Sequence, residues 1–225
     1  MRFTPNLSRS EQKYGFITMA ICLLLLPGAL TLCIPGISDA RLNFTVYFIT
    51  AAAIVYVLRR FLLRNAAVAL VHPVWCIYYA CLGYLAQLAF REILGLLVWA
   101  MDPGFVNLND QAVLSQLDSE FGLVVITTVV LAPIAEECFF RGVLLRGLFD
   151  RSPVLAWVLS VGLFAAVHVM GFIGVYSPLE LLLAAIQYVP AGIGLAIAYQ
   201  RGGNIFSPIL AHAIINGMAV LSVTR

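Results

Sequence analysis

Two adjacent glutamates and an arginine lie in the middle of an apolar segment, APIAEECFFRGVLL, at residues 132–145. An ionisable side chain at the centre of a membrane-spanning helix costs roughly 2.5–3.5 kcal/mol on insertion scales, so its presence there suggests a function. Glu137 and Arg141 are four residues apart and share a helix face, which allows an ion pair that holds the helix in place. Glu136 lies about 100° round the helix and is predicted to stay free for chemistry.

Two later apolar segments carry the other polar side chains of interest. Phe164 and His168 are four residues apart and share one helix face, as do His212 and Asn216. At a rise of 1.5 Å per residue, Glu136, His168 and His212 each lie about 15–22 Å from the nearest predicted cytoplasmic boundary. Three helices are therefore predicted to bring these groups to a similar depth in the membrane.

The residue types leave two mechanisms of amide hydrolysis open. With a metal ion, Glu136, His168 and His212 would form the His₂Glu ligand set of a catalytic zinc site. Without a metal, Glu136 and His168 would activate a water molecule. His212 and Asn216 would then donate hydrogen bonds to the oxyanion of the tetrahedral intermediate. The sequence lacks the H-E-x-x-H zinc motif, and Asn216 is a poor zinc ligand, which favours the metal-free version.

A cysteine nucleophile is a weaker hypothesis. Cys138 is adjacent to the two glutamates, and His168 could serve as its base. All five cysteines lie in apolar stretches, however, and a thiol in an apolar wall is usually inert. The cysteines are therefore predicted to be packing residues.

The elements that position these side chains are predicted to be transmembrane helices. The chain has 225 residues, of which 62% are hydrophobic and only 11% charged, which is outside the range of soluble globular domains. A helix of about 20 apolar residues spans the hydrocarbon core. Segments of this kind lie near residues 14–34, 43–63, 74–101, 121–145, 153–176, 178–199 and 205–224. The predicted fold is an all-α polytopic membrane protein with about seven transmembrane helices.

The charged residues predict the orientation and exclude one class of partner. The net charge of +2 is too small, and the cations too scattered, for a nucleic-acid surface. With the N-terminus in the cytoplasm, most cations fall inside, as the positive-inside rule requires: Arg2, Arg9, Lys13, Arg59, Arg60, Arg64, Arg146, Arg151 and Arg201. Arg41 and Arg225 fall outside. Segment 102–120 has acidic residues but no Lys or Arg, which is typical of an external loop or interfacial helix. We predict an integral protein of the plasma membrane.

The ordered set Glu136-Glu137-x-x-x-Arg141, Phe164-x-x-x-His168 and His212-x-x-x-Asn216 resembles the three signature motifs of the CPBP family of intramembrane proteases. That family includes the CAAX prenyl endopeptidases and the bacterial Abi, or bacteriocin-processing, proteins. The resemblance extends over about residues 121–222. It marks residues 121–225 as the catalytic helices and leaves residues 1–120 as membrane helices without a recognised motif.

The resemblance implies an all-helical membrane protease in which Glu136 and His168 activate water, while His212 and Asn216 stabilise the oxyanion. Family members are described both as metalloproteases and as glutamate proteases, so either no cofactor or a divalent metal such as zinc is compatible. The expected substrate is a peptide or protein at the lipid bilayer, lipidated or otherwise hydrophobic.

Two other classes of function are compatible with the same residues. A proton-coupled transporter could use the Glu, His and Arg side chains as a relay, although such proteins more often have inverted repeats, and here the polar motifs lie only in the second half. A non-enzymatic immunity or scaffold protein could keep the motifs as structure. Substitution of Glu136 separates that possibility from an enzyme, because a folded scaffold would keep its phenotype.

Overall fold

The computed structural model describes residues 7–223, apart from the side chains of residues 118, 119 and 223. Several sequence predictions therefore concern positions outside the described residues: Arg2 and Arg225 in the orientation argument, Thr224 at the end of the last predicted span, and the side chain of Asp118 in the acidic segment.

All regular elements of the described residues are helices, which confirms the all-α prediction. The α-helices are α1 (Arg9–Leu24), α2 (Leu26–Cys33), α3 (Asp39–Val57), α4 (Arg59–Val71), α5 (Pro73–Met101), α6 (Leu108–Val125), α7 (Ala132–Glu137), α8 (Gly147–Phe149), α9 (Pro153–Val169), α10 (Pro178–Gly202) and α11 (Phe206–Val223). Two π-helical segments, Ile126–Leu131 and Cys138–Arg146, flank α7, and a 3₁₀ turn, Met170–Phe172, follows α9.

The polytopic membrane architecture is confirmed by the length and composition of these helices. In the described part of the chain, five continuous helices could cross a bilayer: Asp39–Val57, Pro73–Met101, Glu120–Phe149, Pro153–Phe172 and Pro178–Gly202. The first predicted span is instead the pair α1 and α2, bent by 42°. Pro27, in the first turn of α2, explains this break because its ring clashes with the preceding helical turn. The last predicted span is a shorter apolar helix, Phe206–Ser222.

Two elements between the spans differ from a simple pattern of spans and loops. Helix α4 was not predicted; its Arg59, Arg60 and Arg64 make it polar, and it buries only Phe61 and Asn65. Helix α6 covers most of the acidic segment, and its backbone kinks at Glu120 (φ −141°, ψ 51°). Its position relative to the membrane stays a prediction. Both are amphipathic connections, which a search for long apolar runs does not detect.

Close helix packing fixes the position of α10. Helix α10 packs against α5 and α9. A Cβ atom added to Gly83 of α5 would lie 2.7 Å from the carbonyl oxygen of Gly194 on α10, and a Cβ on Gly192 would lie 3.0 Å from Val161 of α9. Only glycine permits so close an approach of two helices, so Gly83, Gly192 and Gly194 are close-packing positions of these helices.

Candidate active site

Both motif glutamates lie on α7, a short α-helical segment between two π-helical segments of one continuous span. Pro133 is at the start of α7 and lacks the N–H that an α-helix would direct to the carbonyl of Val129. The preceding segment, Ile126–Leu131, takes π-helical hydrogen bonds instead. Such bulges often occur at functional sites because they change the direction in which side chains project.

Glu137 is the centre of a fully buried ionic network. Its Oε1 accepts one hydrogen bond from Arg141 Nη1 at 3.0 Å and another from His212 Nδ1 at 2.9 Å. Arg141 also donates from Nη2 to the carbonyl oxygen of Gly192 at 3.0 Å, and its guanidinium lies 4.6 Å from the centre of the Phe164 ring. The predicted ion pair is confirmed. Glu137 has, in addition, a contact that the sequence did not predict, since it orients His212.

Glu136 stands apart from this network, as predicted, but it is not free of contacts. Its side chain is 4% exposed. Oε1 accepts a hydrogen bond of 2.7 Å from the hydroxyl of Tyr47 on α3. Oε2 is buried, accepts no hydrogen bond from the residues that the structure describes, and lies 3.9 Å from His168 Nε2. One carboxylate oxygen is therefore fixed, while the other faces the imidazole.

His168 is held in one orientation by the last turn of α9. Its Nδ1 lies 2.7 Å from the carbonyl oxygen of Phe164. Because a carbonyl oxygen only accepts hydrogen bonds, Nδ1 carries the proton, and Nε2 of the neutral ring presents a lone pair towards Glu136. The ring of Tyr188 on α10 stacks on the imidazole with centres 4.1 Å apart. The position of Nε2 is thus fixed from two sides.

His212 and Asn216 come from α11 on the opposite wall. Glu137 fixes the Nδ1 atom of His212, so Nε2 is the atom that remains for chemistry. Asn216 donates from Nδ2 to the carbonyl oxygen of Thr128 at 2.7 Å. An amide NH₂ group has two hydrogens, so this bond orients the side chain and leaves its second N–H.

The side chains face a cavity of about 320 Å³, within the range of small-ligand sites. Glu136, His168, His212 and Asn216 line it, whereas Glu137 and Arg141 lie behind the wall. A second cavity of about 220 Å³ has mostly apolar walls, with Met19, Leu23, Val46, Val167 and Met170 among them. Five residues line both cavities: Asn43, Tyr47, Asn109, Glu136 and His168. Glu136 and His168 thus lie where the two cavities meet.

The side chains present do not converge as a complete metal site. Each histidine has its Nδ1 fixed by an oxygen atom, which is typical of metal-ligating imidazoles. Among the side chains that the structure describes, however, no three from His, Cys, Asp or Glu are placed to hold one ion. This donor set does not fit the His₂Glu site considered from the sequence.

Sequence reasoning missed the contributions of α3 and α10. Tyr47 contacts Glu136, and Tyr188 contacts His168. A signal for α3 existed, because Asn43, Tyr47 and Thr50 recur at helical spacing on one face of an otherwise apolar segment. Cys138, by contrast, is fully buried in the main hydrophobic core and lines neither cavity.

A family model described as type II CAAX prenyl endopeptidase Rce1-like matches residues 118–218. The match covers somewhat less than half of the chain, so this segment is similar to the Rce1-like family. The match contains the six predicted site residues from Glu136 to Asn216, whereas Tyr47 lies outside it. This similarity favours an intramembrane protease.

Two curated relatives are similar to this chain. It is 27% identical over 147 residues to the "Putative membrane peptidase YdiL" of Bacillus subtilis (strain 168), covering 64% of this chain and 55% of the relative. It is 29% identical over 90 residues to an "Uncharacterized 24.3 kDa protein" of Escherichia coli, covering 40% of this chain and 39% of the relative. The chain thus spans about half the length of these relatives or less. No solved structure matches it.

Proposed function

We propose that this chain is an endopeptidase that hydrolyses a peptide bond of a membrane-associated substrate with a water molecule activated by Glu136 and His168. The observation that supports this is the pair Glu136 Oε2 and His168 Nε2, which face each other 3.9 Å apart at the meeting point of two cavities. At this separation they are too far apart for a direct hydrogen bond, but one water can donate a hydrogen to each of them.

Attack by this water begins the reaction. With both hydrogens donated, its oxygen lone pairs point away from Glu136 and His168 towards a substrate carbonyl carbon. As the C–O bond forms, one proton moves to Glu136 Oε2, and the carbonyl oxygen becomes an oxyanion. When the C–N bond breaks, Glu136 returns the proton to the leaving amine. The products are a carboxylic acid and an amine, and the enzyme is unchanged.

His212 and Asn216 stabilise the oxyanion in this scheme. Asn216 offers the N–H that Thr128 does not use. His212 donates from Nε2 when it is protonated, while Glu137 holds its Nδ1–H.

Replacement of Asn216 with alanine tests the metal-free oxyanion site. We expect a loss of about 10²- to 10³-fold in turnover, because removal of one oxyanion donor usually has this effect. Elemental analysis should find far less than one metal per chain in active wild-type protein, and no change in the variant. About one tightly held zinc per active chain, lost together with activity on chelation, would overturn the metal-free scheme.

The substrate is proposed from the family and from the cavity walls. A hydrophobic or lipidated peptide fits the apolar lining of the second cavity, and the lipid bilayer would concentrate such a peptide near the site. The probe that follows from the family description is an internally quenched peptide with a C-terminal CAAX sequence, farnesylated on its cysteine. The same peptide without the farnesyl group shows whether the lipid is required.

Cleavage of this probe by purified protein in proteoliposomes tests the function. Wild-type protein should cleave it, and Glu136→Ala protein with the same thermal stability should not. The competing transporter hypothesis gives the opposite pattern, with proton flux across the vesicle membrane and intact peptide. A second comparison covers substrates other than this probe: membrane peptides from cells that produce wild-type protein and from cells that produce Glu136→Ala protein are analysed by mass spectrometry. Identical peptide sets would contradict the proposal that the protein is a protease.

The membrane orientation is a proposal that a labelling experiment checks. We propose that the N-terminus lies in the cytoplasm and that the protein resides in the plasma membrane. Cys33, exposed at the end of α2, then lies on the outer side. A membrane-impermeant maleimide should label Cys33 in intact cells, with Cys33→Ser protein as the control. Labelling of Cys33 only after the membrane is opened would reverse the orientation.

A further inference from the structure

Helix α3 contributes a polar stripe to a site whose other residues lie in the family-matched segment 118–218. Asn43, Tyr47 and Thr50 share one face of this helix, and all three line the second cavity. Asn43 and Tyr47 also line the first. The helix packs against the π-helical segment Ile126–Leu131 and against α7, which carries both glutamates. The stripe therefore faces the proposed catalytic base.

Tyr47 makes the closest polar contact between this stripe and the site. Its hydroxyl donates a hydrogen bond of 2.7 Å to Glu136 Oε1. An O–H···O⁻ bond of this length is charge-assisted, about twice as strong as a bond between neutral groups. The Tyr47 side chain is only partly exposed and borders both cavities.

The bond has a geometric consequence for catalysis. A glutamate side chain rotates about its terminal bond with little preference, so either oxygen could face either direction. With Oε1 held by Tyr47, Oε2 is the oxygen that faces His168 Nε2. Placement of two acceptors around one water is sensitive to small errors, since a displacement of about 1 Å can cost 10²-fold in rate.

We propose that Tyr47 is a positioning residue for Glu136, and that the N-terminal membrane helices thereby complete the active site. This inference rests on the proposed function, in which Glu136 is the base. The alternative is that Tyr47 only fills space between α3 and α7. The two differ in what the hydroxyl does, because a packing role needs the ring alone.

The first test compares Tyr47→Phe with Tyr56→Phe in proteoliposomes. Tyr56 lies on the same helix, is 67% exposed and lines neither cavity. Its replacement with phenylalanine therefore removes one hydroxyl from the same helix away from the site. Using the farnesylated quenched peptide, or a product found by the membrane-peptide comparison, we expect Tyr47→Phe to lower kcat by about 10- to 100-fold. KM should stay within about twofold of wild type, because the lost interaction acts on the chemical step. The melting temperature should not change.

Several outcomes separate this inference from the proposed function. If Glu136→Gln protein keeps its activity, the proposed function fails. If Glu136→Gln is inactive while Tyr47→Phe equals wild type, only the inference about Tyr47 fails. A fall in melting temperature that matches the loss of activity, or a change in KM alone, would also reduce Tyr47 to a packing residue.

Infrared spectroscopy gives a readout that needs no substrate. Removal of a hydrogen bond to one carboxylate oxygen shifts the carboxylate stretching bands. The difference spectrum between wild-type and Tyr47→Phe protein should therefore show such a shift, and the same substitution in a Glu136→Gln background should not. Tyr56→Phe should leave these bands unchanged. No shift with Tyr47→Phe, or an equal shift in both backgrounds, would overturn the inference.

Discussion

Glu136→Gln protein is expected to lose about 10³-fold or more of its peptidase activity while it folds normally in the membrane. Glutamine keeps the shape of the side chain and can still accept the hydrogen bond from Tyr47, but it cannot take a proton from water. General-base catalysis typically contributes about 10²- to 10⁴-fold. Two other carboxylates lie near the site. Glu137 is occupied by Arg141 and His212 and lies behind the cavity wall, and Asp110 accepts a hydrogen bond from the Tyr188 hydroxyl. Initial rates of peptide cleavage and the melting temperature are the two measurements.

The control for this experiment is Cys138→Ala, two residues along the same helical segment. Cys138 is fully buried in the core and lines neither cavity, so its loss should lower stability slightly and leave turnover largely intact. Activity within tenfold of wild type for folded Glu136→Gln protein would remove Glu136 from the role of base. An inactive but stable Cys138→Ala protein would revive the cysteine mechanism.

Glu137→Ala should act first on stability and through it on activity. The substitution leaves Arg141 fully buried without its carboxylate, and removal of one partner of a buried ion pair typically costs about 3–5 kcal/mol. It also releases His212, so any folded fraction should turn over more slowly than wild type. Thermal unfolding in detergent measures the first effect, and turnover per folded molecule measures the second.

Glu92→Ala is the matched control for the buried pair. Glu92 forms an ion pair with Arg91 at 3.4 Å, but both side chains are largely exposed at the protein surface. Its loss leaves no cation enclosed within the protein, so we expect a smaller loss of thermal stability than for Glu137→Ala. Glu137→Gln keeps an acceptor for His212 and should fall between wild type and Glu137→Ala. Normal thermal stability of Glu137→Ala protein without activity would show that the carboxylate serves the reaction alone.

Much of the site could be predicted from the sequence because it depends on local helical geometry. The ion pair of Glu137 with Arg141 follows from a spacing of four residues, and so does the pairing of Phe164 with His168. Long apolar runs likewise predict spanning helices, since backbone groups in lipid must find their hydrogen bonds within the segment. These features are determined within one or two helical turns and need no knowledge of neighbouring helices.

The contacts that decide how the site is arranged join residues far apart in the chain, and only the tertiary structure shows them. Tyr47 and Glu136 are separated by 89 positions, and Glu137 and His212 by 75. The face of α3 that meets α7 depends on how the helices pack. It also depends on the π-helical segments around Glu136, because they change the direction of side chains in a way that regular helical spacing does not predict. The sequence determined which helices carry the reactive groups. Helix packing decided that Tyr47 of the N-terminal half holds Glu136 and that Glu137 orients His212. The reason is that side chains on separate helices meet only where close packing brings their faces together.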